Sequence, residues 1–184
     1  MIAVIKNILK LQASDRILLD TNICLFIFGP GKFRYLDSNS SKYVNAQDKW
    51  GTDKVYICRP VLSEFINRLI HDQWKIWKHD ENPHPNNKKA FRNSSIFKGL
   101  ISKEIAQYVE EMLNGIECCD SGFDKTKACE FLSEFIKCEL DFNDIIIEEI
   151  CRTNNLILVT DDGDFKNCGI PIITANDSMF QRSS

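Results

Sequence analysis

Four carboxylates, Asp20, Glu64, Asp144 and Asp162, each stand beside an apolar run in this 184-residue chain. They belong to Leu19-Asp20-Thr21-Asn22, Leu62-Ser63-Glu64-Phe65, Phe142-Asn143-Asp144-Ile145 and Thr160-Asp161-Asp162-Gly163-Asp164-Phe165. A carboxylate among apolar neighbours is costly to desolvate unless a cation meets it. Four such acids brought together repel and raise one another's pKa values, so they take up protons or a hard divalent cation with oxygen ligands. Mg2+ or Mn2+ in that setting lowers the pKa of its bound water and polarises a phosphate oxygen, which is chemistry suited to phosphodiester bonds. Each acid also has a plainer reading. Asp20 suits a helix N-cap, Glu64 a solvated helix face, Asp144 the cap of the helix that follows it, and the run Asp161-Asp162-Gly163-Asp164 a tight turn. The conjunction favours chemistry, because all four plainer readings must hold at once at positions that converge.

Convergence depends on the elements that carry the acids. Arg16-Ile17-Leu18-Leu19 and Leu156-Ile157-Leu158-Val159-Thr160 read as buried parallel strands, each ending at a carboxylate. Lys54 to Cys58 reads as another strand, Ile116 to Cys119 as a short one, and Ile170 to Thr174 as an edge strand because Pro171 cannot donate within a central one. The spacing predicts helices over Asn22–Phe28, from Pro60 through Leu62, Phe65, Ile66, Leu69 and Ile70 toward Trp77, and over Ser102–Asn114, Asp124–Lys137 and Asn143–Asn154. Residues 1–15 are expected as a helical extension, 31–54 as irregular chain with a helical turn near Tyr43 to Trp50, and 80–95 as an exposed loop. Strands alternating with helices imply a three-layer α/β/α sandwich on a mainly parallel sheet, a single domain over residues 1–184 with a helical insertion around 71–115. Ligands of such sheets bind beyond the carboxyl ends of the strands, the end at which all four acids are expected.

Composition adds boundaries. Hydrophobic content of 43%, charge of 27% and a net charge of −3 are ordinary for a soluble domain. The charge is unevenly spread: Arg68 to Lys98 holds seven basic and three acidic residues, whereas Glu104 to Glu149 holds three basic and thirteen acidic ones. Lys75, Lys78, Lys88, Lys89, Arg92 and Lys98 are candidates to grip phosphates. Trp74 and Trp77 could stack on unpaired bases, against the simpler reading that they pack between helices. The eight cysteines contain no Cys-x-x-Cys pair, and Cys24 and Cys58 sit in apolar runs, so reduced structural thiols in a cytoplasmic protein are expected, with Cys118-Cys119 the pair most open to oxidation. His71, His79 and His84 form no helical metal pair and read as solvated. No run approaches a membrane span, and the N-terminus lacks a small-residue cleavage site.

The strand-Asp-Thr-Asn opening, the Pro60-to-Glu64 spacing, Asp144 at the start of a late helix and the closing Leu158-Val159-Thr160-Asp161-Asp162-Gly163-Asp164-Phe165 resemble the PIN-domain ribonucleases, most closely the VapC-type toxins of bacterial toxin–antitoxin pairs. The resemblance runs from Arg16 to about Thr174. It implies a PIN-like fold and a Mg2+- or Mn2+-dependent endoribonuclease whose metal-binding and catalytic carboxylates are Asp20, Glu64, Asp144 and Asp162. Thr160 would then help shape the site, with Asp161 and Asp164 as further candidates for the fourth acid and Asp162 fitting best by position. The resemblance also implies an RNA substrate cut to 5′-phosphate and 3′-hydroxyl ends, and it admits an antitoxin protein or a second copy of the chain as partner. The competing readings are a PIN-like module that binds RNA or protein without cutting, and a housekeeping RNA-processing nuclease. Phosphoryl transfer through an aspartyl nucleophile would want a carboxylate where Asn22 stands.

Overall fold

The strands that end in Asp20 and in Thr160-Asp161-Asp162 are direct neighbours at the centre of a six-stranded, all-parallel sheet. The computed structural model describes residues 4–34, 36–51, 53–80, 87–122, 124–136 and 140–180. His84 and Cys138 lie outside the described residues, as do residues 81–86 of the expected 80–95 loop and Lys137 at the expected end of its helix. In chain order the elements are β1 (Ile5–Asn7), β2 (Ile17–Leu19), α1 (Thr21–Phe28), α2 (Gly31–Arg34), α3 (Ser38–Ala46), β3 (Val55–Cys58) and α4 (Arg59–Asp80). They continue with α5 (Lys88–Asn93), α6 (Ser102–Leu113), β4 (Glu117–Cys119), α7 (Lys125–Phe135), α8 (Phe142–Asn154), β5 (Ile157–Val159) and β6 (Ile172–Thr174). The sheet order is β1-β6-β5-β2-β3-β4, and the helices between successive strands are the crossovers that parallel pairing demands. This is the α/β/α sandwich on a parallel sheet that the alternation of elements implies.

The central strands are apolar throughout because both of their faces are covered. Ile17, Leu18, Leu19, Leu158 and Val159 are all at most 1% exposed. Phe65, Leu69 and Trp77 from α4, Ile23 and Ile27 from α1, and Ile147 and Ile150 from α8 complete the core. Burial of Phe65 on the same helix turn as Glu64 fixes which way that turn faces. Cys24, Cys58, Cys151 and Cys168 are buried free thiols within this core, while Cys118 and Cys119 lie on the edge strand β4. No described helix is long and apolar enough to cross a membrane.

Three elements depart from the sequence reading. The N-terminal segment expected as a helix instead forms β1, paired in register with β6 from Ile5 and Ile172 to Asn7 and Thr174, and among its described residues only Ile8–Lys10 turn helically. That pairing moves β6 inside the sheet, between β1 and β5. Pro171 is no obstacle there, because it precedes the strand and contributes only its carbonyl, which accepts from the Leu158 N–H. Residues 31–54, expected as irregular, hold α2 and α3. Helix α3 has weak helix formers but a capping box in which Asp37 and Ser40 satisfy each other's backbone N–H groups. Within the expected 80–95 loop, residues 88–93 are helical, capped by Asn87.

Candidate active site

Asp20 leaves the sheet at the point where β2 gives way to α1. Its backbone N–H still donates to Val159 O at 3.0 Å, continuing the ladder to β5, while its side chain caps α1 by accepting the Thr21 N–H at 2.6 Å. The cap reading is therefore correct for one carboxylate oxygen. The other accepts the Thr160 hydroxyl at 2.7 Å, and that hydroxyl in turn accepts the Asp162 N–H at 2.9 Å. On the opposite side, the Thr21 hydroxyl donates to Glu64 Oε2 at 3.2 Å. A continuous path thus joins Glu64, Thr21, Asp20, Thr160 and Asp162 across the carboxyl ends of β3, β2 and β5.

Asp144 comes to the same place from α8. It is not the N-cap of that helix: Asp141 is, accepting the Asp144 N–H at 3.0 Å, while the Asp144 carboxyl is in turn steadied by the Asp141 backbone. Burial pushes Asp144 up to about 7, and the negative charges of Asp141, Asp20 and Asp162 add to the rise. Burial likewise pushes Asp20 up to about 6 against its two hydrogen-bond donors, with Asp162 and Glu64 adding repulsion. Asp20 is thus within electrostatic reach of Glu64 and Asp162, and Asp144 within reach of Asp20 and Asp162. Asp20 is 6% exposed, so its charge is almost wholly withdrawn from water.

The fourth position is where the sequence left a choice. Asp161 points away from these acids: its Oδ1 accepts the Tyr43 hydroxyl at 2.9 Å and the Asn39 amide at 3.3 Å, both from α3. Asp164 is exposed, and its N–H donates to Asp162 Oδ1 at 2.9 Å, which makes Asp162 the N-cap of the short helical turn Gly163–Asn167. Asp162 alone of the three shares a hydrogen-bonded partner with Asp20. With the chain as a nuclease, Asp162→Asn is expected to lower cleavage at least about a hundredfold and Asp161→Asn less than about tenfold. Initial rates on one RNA substrate decide this, and the reverse ranking would exchange the two assignments.

The donor set fits a hard cation. It consists of carboxylate oxygens, two of them with depressed acidity, and among the described residues no ion pair engages any of the four. Among those same residues, no three His, Cys, Asp or Glu side chains are gathered closely enough to ligate one ion as they stand. A cavity of about 530 Å³ opens beside the site, between α7, α8 and the turn after β5, with Glu130, Glu148, Arg152 and Asp164 in its wall. None of the four acids lines it.

Two supporting residues carry no chemical signature in the sequence. Thr21 was visible only as the neighbour of Asp20, although a hydroxyl one residue past a capping Asp is placed to serve a second acid. Tyr43 is wholly buried, and its hydroxyl lies 2.9 Å from Thr160 O, 2.9 Å from Asp161 Oδ1, 3.1 Å from Thr174 Oγ1 and 2.7 Å from the Ala175 N–H. It ties the ends of β5 and β6 to α3 and holds Asp161 out of the acidic volume. Burial raises its phenol well above the ordinary value, so it stays a neutral donor. Tyr43→Phe leaves the Ala175 N–H unpaired and is expected to lower the unfolding free energy by about 2 kcal/mol. Urea denaturation checks this, and a loss near zero would mean that water replaces the hydroxyl.

Comparison with known proteins agrees with this fold. The family model described as PIN domain matches residues 17–171. No curated protein matches the chain. Among solved structures the chain is similar to the crystal structure of VapBC2 from Rickettsia felis bound to a DNA fragment from their promoter. The TM-score is 0.51 at 17% sequence identity, covering 86% of this chain and 98% of that one. At that identity the likeness is one of fold. Because the family match spans the sheet from β2 to the approach to β6, with every acid of the site inside it, this chain belongs to the PIN domain family.

Proposed function

We propose that the protein is a metal-dependent endoribonuclease, using Mg2+ or Mn2+ held by Asp20, Glu64, Asp144 and Asp162. The observation that carries this is the hydrogen-bonded path from Glu64 through Thr21, Asp20 and Thr160 to Asp162, with Asp144 facing it and no counter-cation supplied by the described residues. When bound, the ion supplies Lewis acidity toward the phosphate and a lowered pKa for water. The chain's own groups do the rest. Thr160 and Thr21 fix the orientation of Asp20 and Glu64, the Asp141 backbone steadies Asp144 at the start of α8, and burial of Asp20 keeps water from screening the charges that act on the phosphate.

The likeness of fold to a VapBC2 structure supports the further reading that the chain is the toxin of a toxin–antitoxin pair. Purified protein incubated with RNA tests the first part. Cleavage is expected with Mn2+ or Mg2+, to be lost in EDTA, and to leave 5′-phosphate ends. Equal cleavage in EDTA and in Mn2+ would overturn the assignment. For the second part, induced expression is expected to arrest bacterial growth with the wild-type chain and not with Asp20→Asn.

A further inference from the structure

Glu64 begins a stripe on α4 that continues away from the acids and changes sign. Glu64, Arg68, His71, Lys75 and Lys78 follow one another at spacings of four, three, four and three, so they share one face of the helix. Arg68, Lys75 and Lys78 are exposed. At 1.5 Å of rise per residue, Lys75 stands about 16 Å along the axis from Glu64. Helix α5 adds Lys88, so that cations from two elements meet over one ring: the ammonium groups of Lys88 and Lys78 lie 5.4 and 5.6 Å from the centre of the Trp74 indole. His71 stacks on the same indole with ring centres 5.4 Å apart. Partial desolvation and the charges of Lys88, Lys75 and Arg68 hold the His71 imidazole below its ordinary pKa, so these cations crowd one another. Asp72, the acid beside them, is already paired with Lys32.

This arrangement revises the roles read from sequence. Trp77 is buried against Phe91, with ring centres 5.3 Å apart, and belongs to the core. His71 and two lysines gather on the Trp74 indole, so the ring is a platform that positions cations. A row of mutually repelling cations on the helix that also carries Glu64 matches a polyanion whose charges recur along its length and which leads into the acidic site.

Resting on the nuclease reading above, we propose that Arg68, Lys75 and Lys78 of α4, with Lys88 of α5, form the track along which the single-stranded RNA substrate lies beyond the bond to be cut, gripped through phosphates and without base readout.

Fluorescence anisotropy of a labelled oligouridylate in EDTA reads binding without requiring cleavage. The double variant Lys75→Gln/Lys78→Gln is expected to reduce the slope of log affinity against log salt by about 1.4, about 0.7 for each phosphate of a single strand that is no longer neutralised. The same reduction is expected with oligoadenylate. Lys6→Gln/Lys125→Gln, which removes the same charge from exposed positions on β1 and α7, is expected to leave the slope unchanged. An unchanged slope in the α4 variant, an equal reduction in the control, or a reduction seen with only one of the two oligomers overturns the proposal. In Mn2+, the α4 variant is expected to cut a long RNA at least about tenfold more slowly while cutting a dinucleotide at the wild-type rate, since two ungripped phosphates are enough for such a change. Wild-type protein that cuts RNA but shows no change of slope in the variant loses the track and keeps the nuclease; protein that binds through α4 and cuts nothing does the opposite.

Discussion

Asp20→Asn is expected to lower RNA cleavage to about a thousandth of the wild-type rate or less, and at the same time to stabilise the metal-free protein at pH 8. The first effect follows from position. Loss of an outer partner of a metal ligand costs about ten- to a hundredfold, and Asp20 is the acid to which both threonines of the site connect. The second follows from burial. A carboxyl held at about 6 against an ordinary 3.8 is shifted by about two units, so its ionised form costs the metal-free fold about 3 kcal/mol at pH 8. Asn is neutral, keeps nearly the same shape and still caps α1. Part of the gain is offset, because the Asn amide would face the Thr160 hydroxyl, which already accepts from the Asp162 N–H. A net gain of about 1–2 kcal/mol is expected in EDTA at pH 8, disappearing near pH 4 where Asp20 is protonated and its cost vanishes. Urea denaturation of both proteins at the two pH values measures it. A variant destabilised equally at both would mean that the carboxylate's hydrogen bonds outweigh its desolvation.

The parts of this site that were legible in the sequence are those fixed by local pattern. A buried strand that stops at an Asp announces both the strand and the sheet end, and the places of Asp20 and Asp162 at that end were readable for that reason. Glu64 was readable through its neighbours, since Phe65 and Leu69 fix the buried face of α4. What the sequence withheld is decided by contacts between distant segments. The choice between Asp161 and Asp162 depends on Tyr43, 118 residues away from Asp161, which sits in a helix whose Ser38-Asn39-Ser40-Ser41 opening has little intrinsic helical preference. Strand β1 was missed because three residues at a sheet edge, with only one neighbour, carry no periodic signature. The place of β6 inside the sheet followed from that miss, since strand order is a property of partners and not of Ile172-Ile173-Thr174.

The same two raised carboxyls set how acidity, cation and stability are linked. In the metal-free fold Asp20 and Asp144 hold protons up to about 6 and about 7, whereas both release them near 3.8 in ordinary surroundings. Between about pH 4 and 7 the folded chain therefore binds more protons than the unfolded one, so stability conferred by these groups falls as pH rises through that window. A divalent cation reverses the trend, because it binds the ionised acids that folding otherwise disfavours. Below about 7 it must displace one proton and below about 6 two, so its apparent affinity is expected to weaken roughly tenfold per pH unit in the first interval and up to about a hundredfold in the second. Thermal unfolding with and without Mn2+ should then show a cation-induced rise in Tm that is large at pH 8, where an excess of 100 Kd stabilises by about 2.7 kcal/mol, and absent at pH 5. Asp20→Asn/Asp144→Asn should remove both the rise and its pH dependence, separating this linkage from the titration of other groups. An equal rise at pH 5 and pH 8 would place the bound cation somewhere other than among these acids.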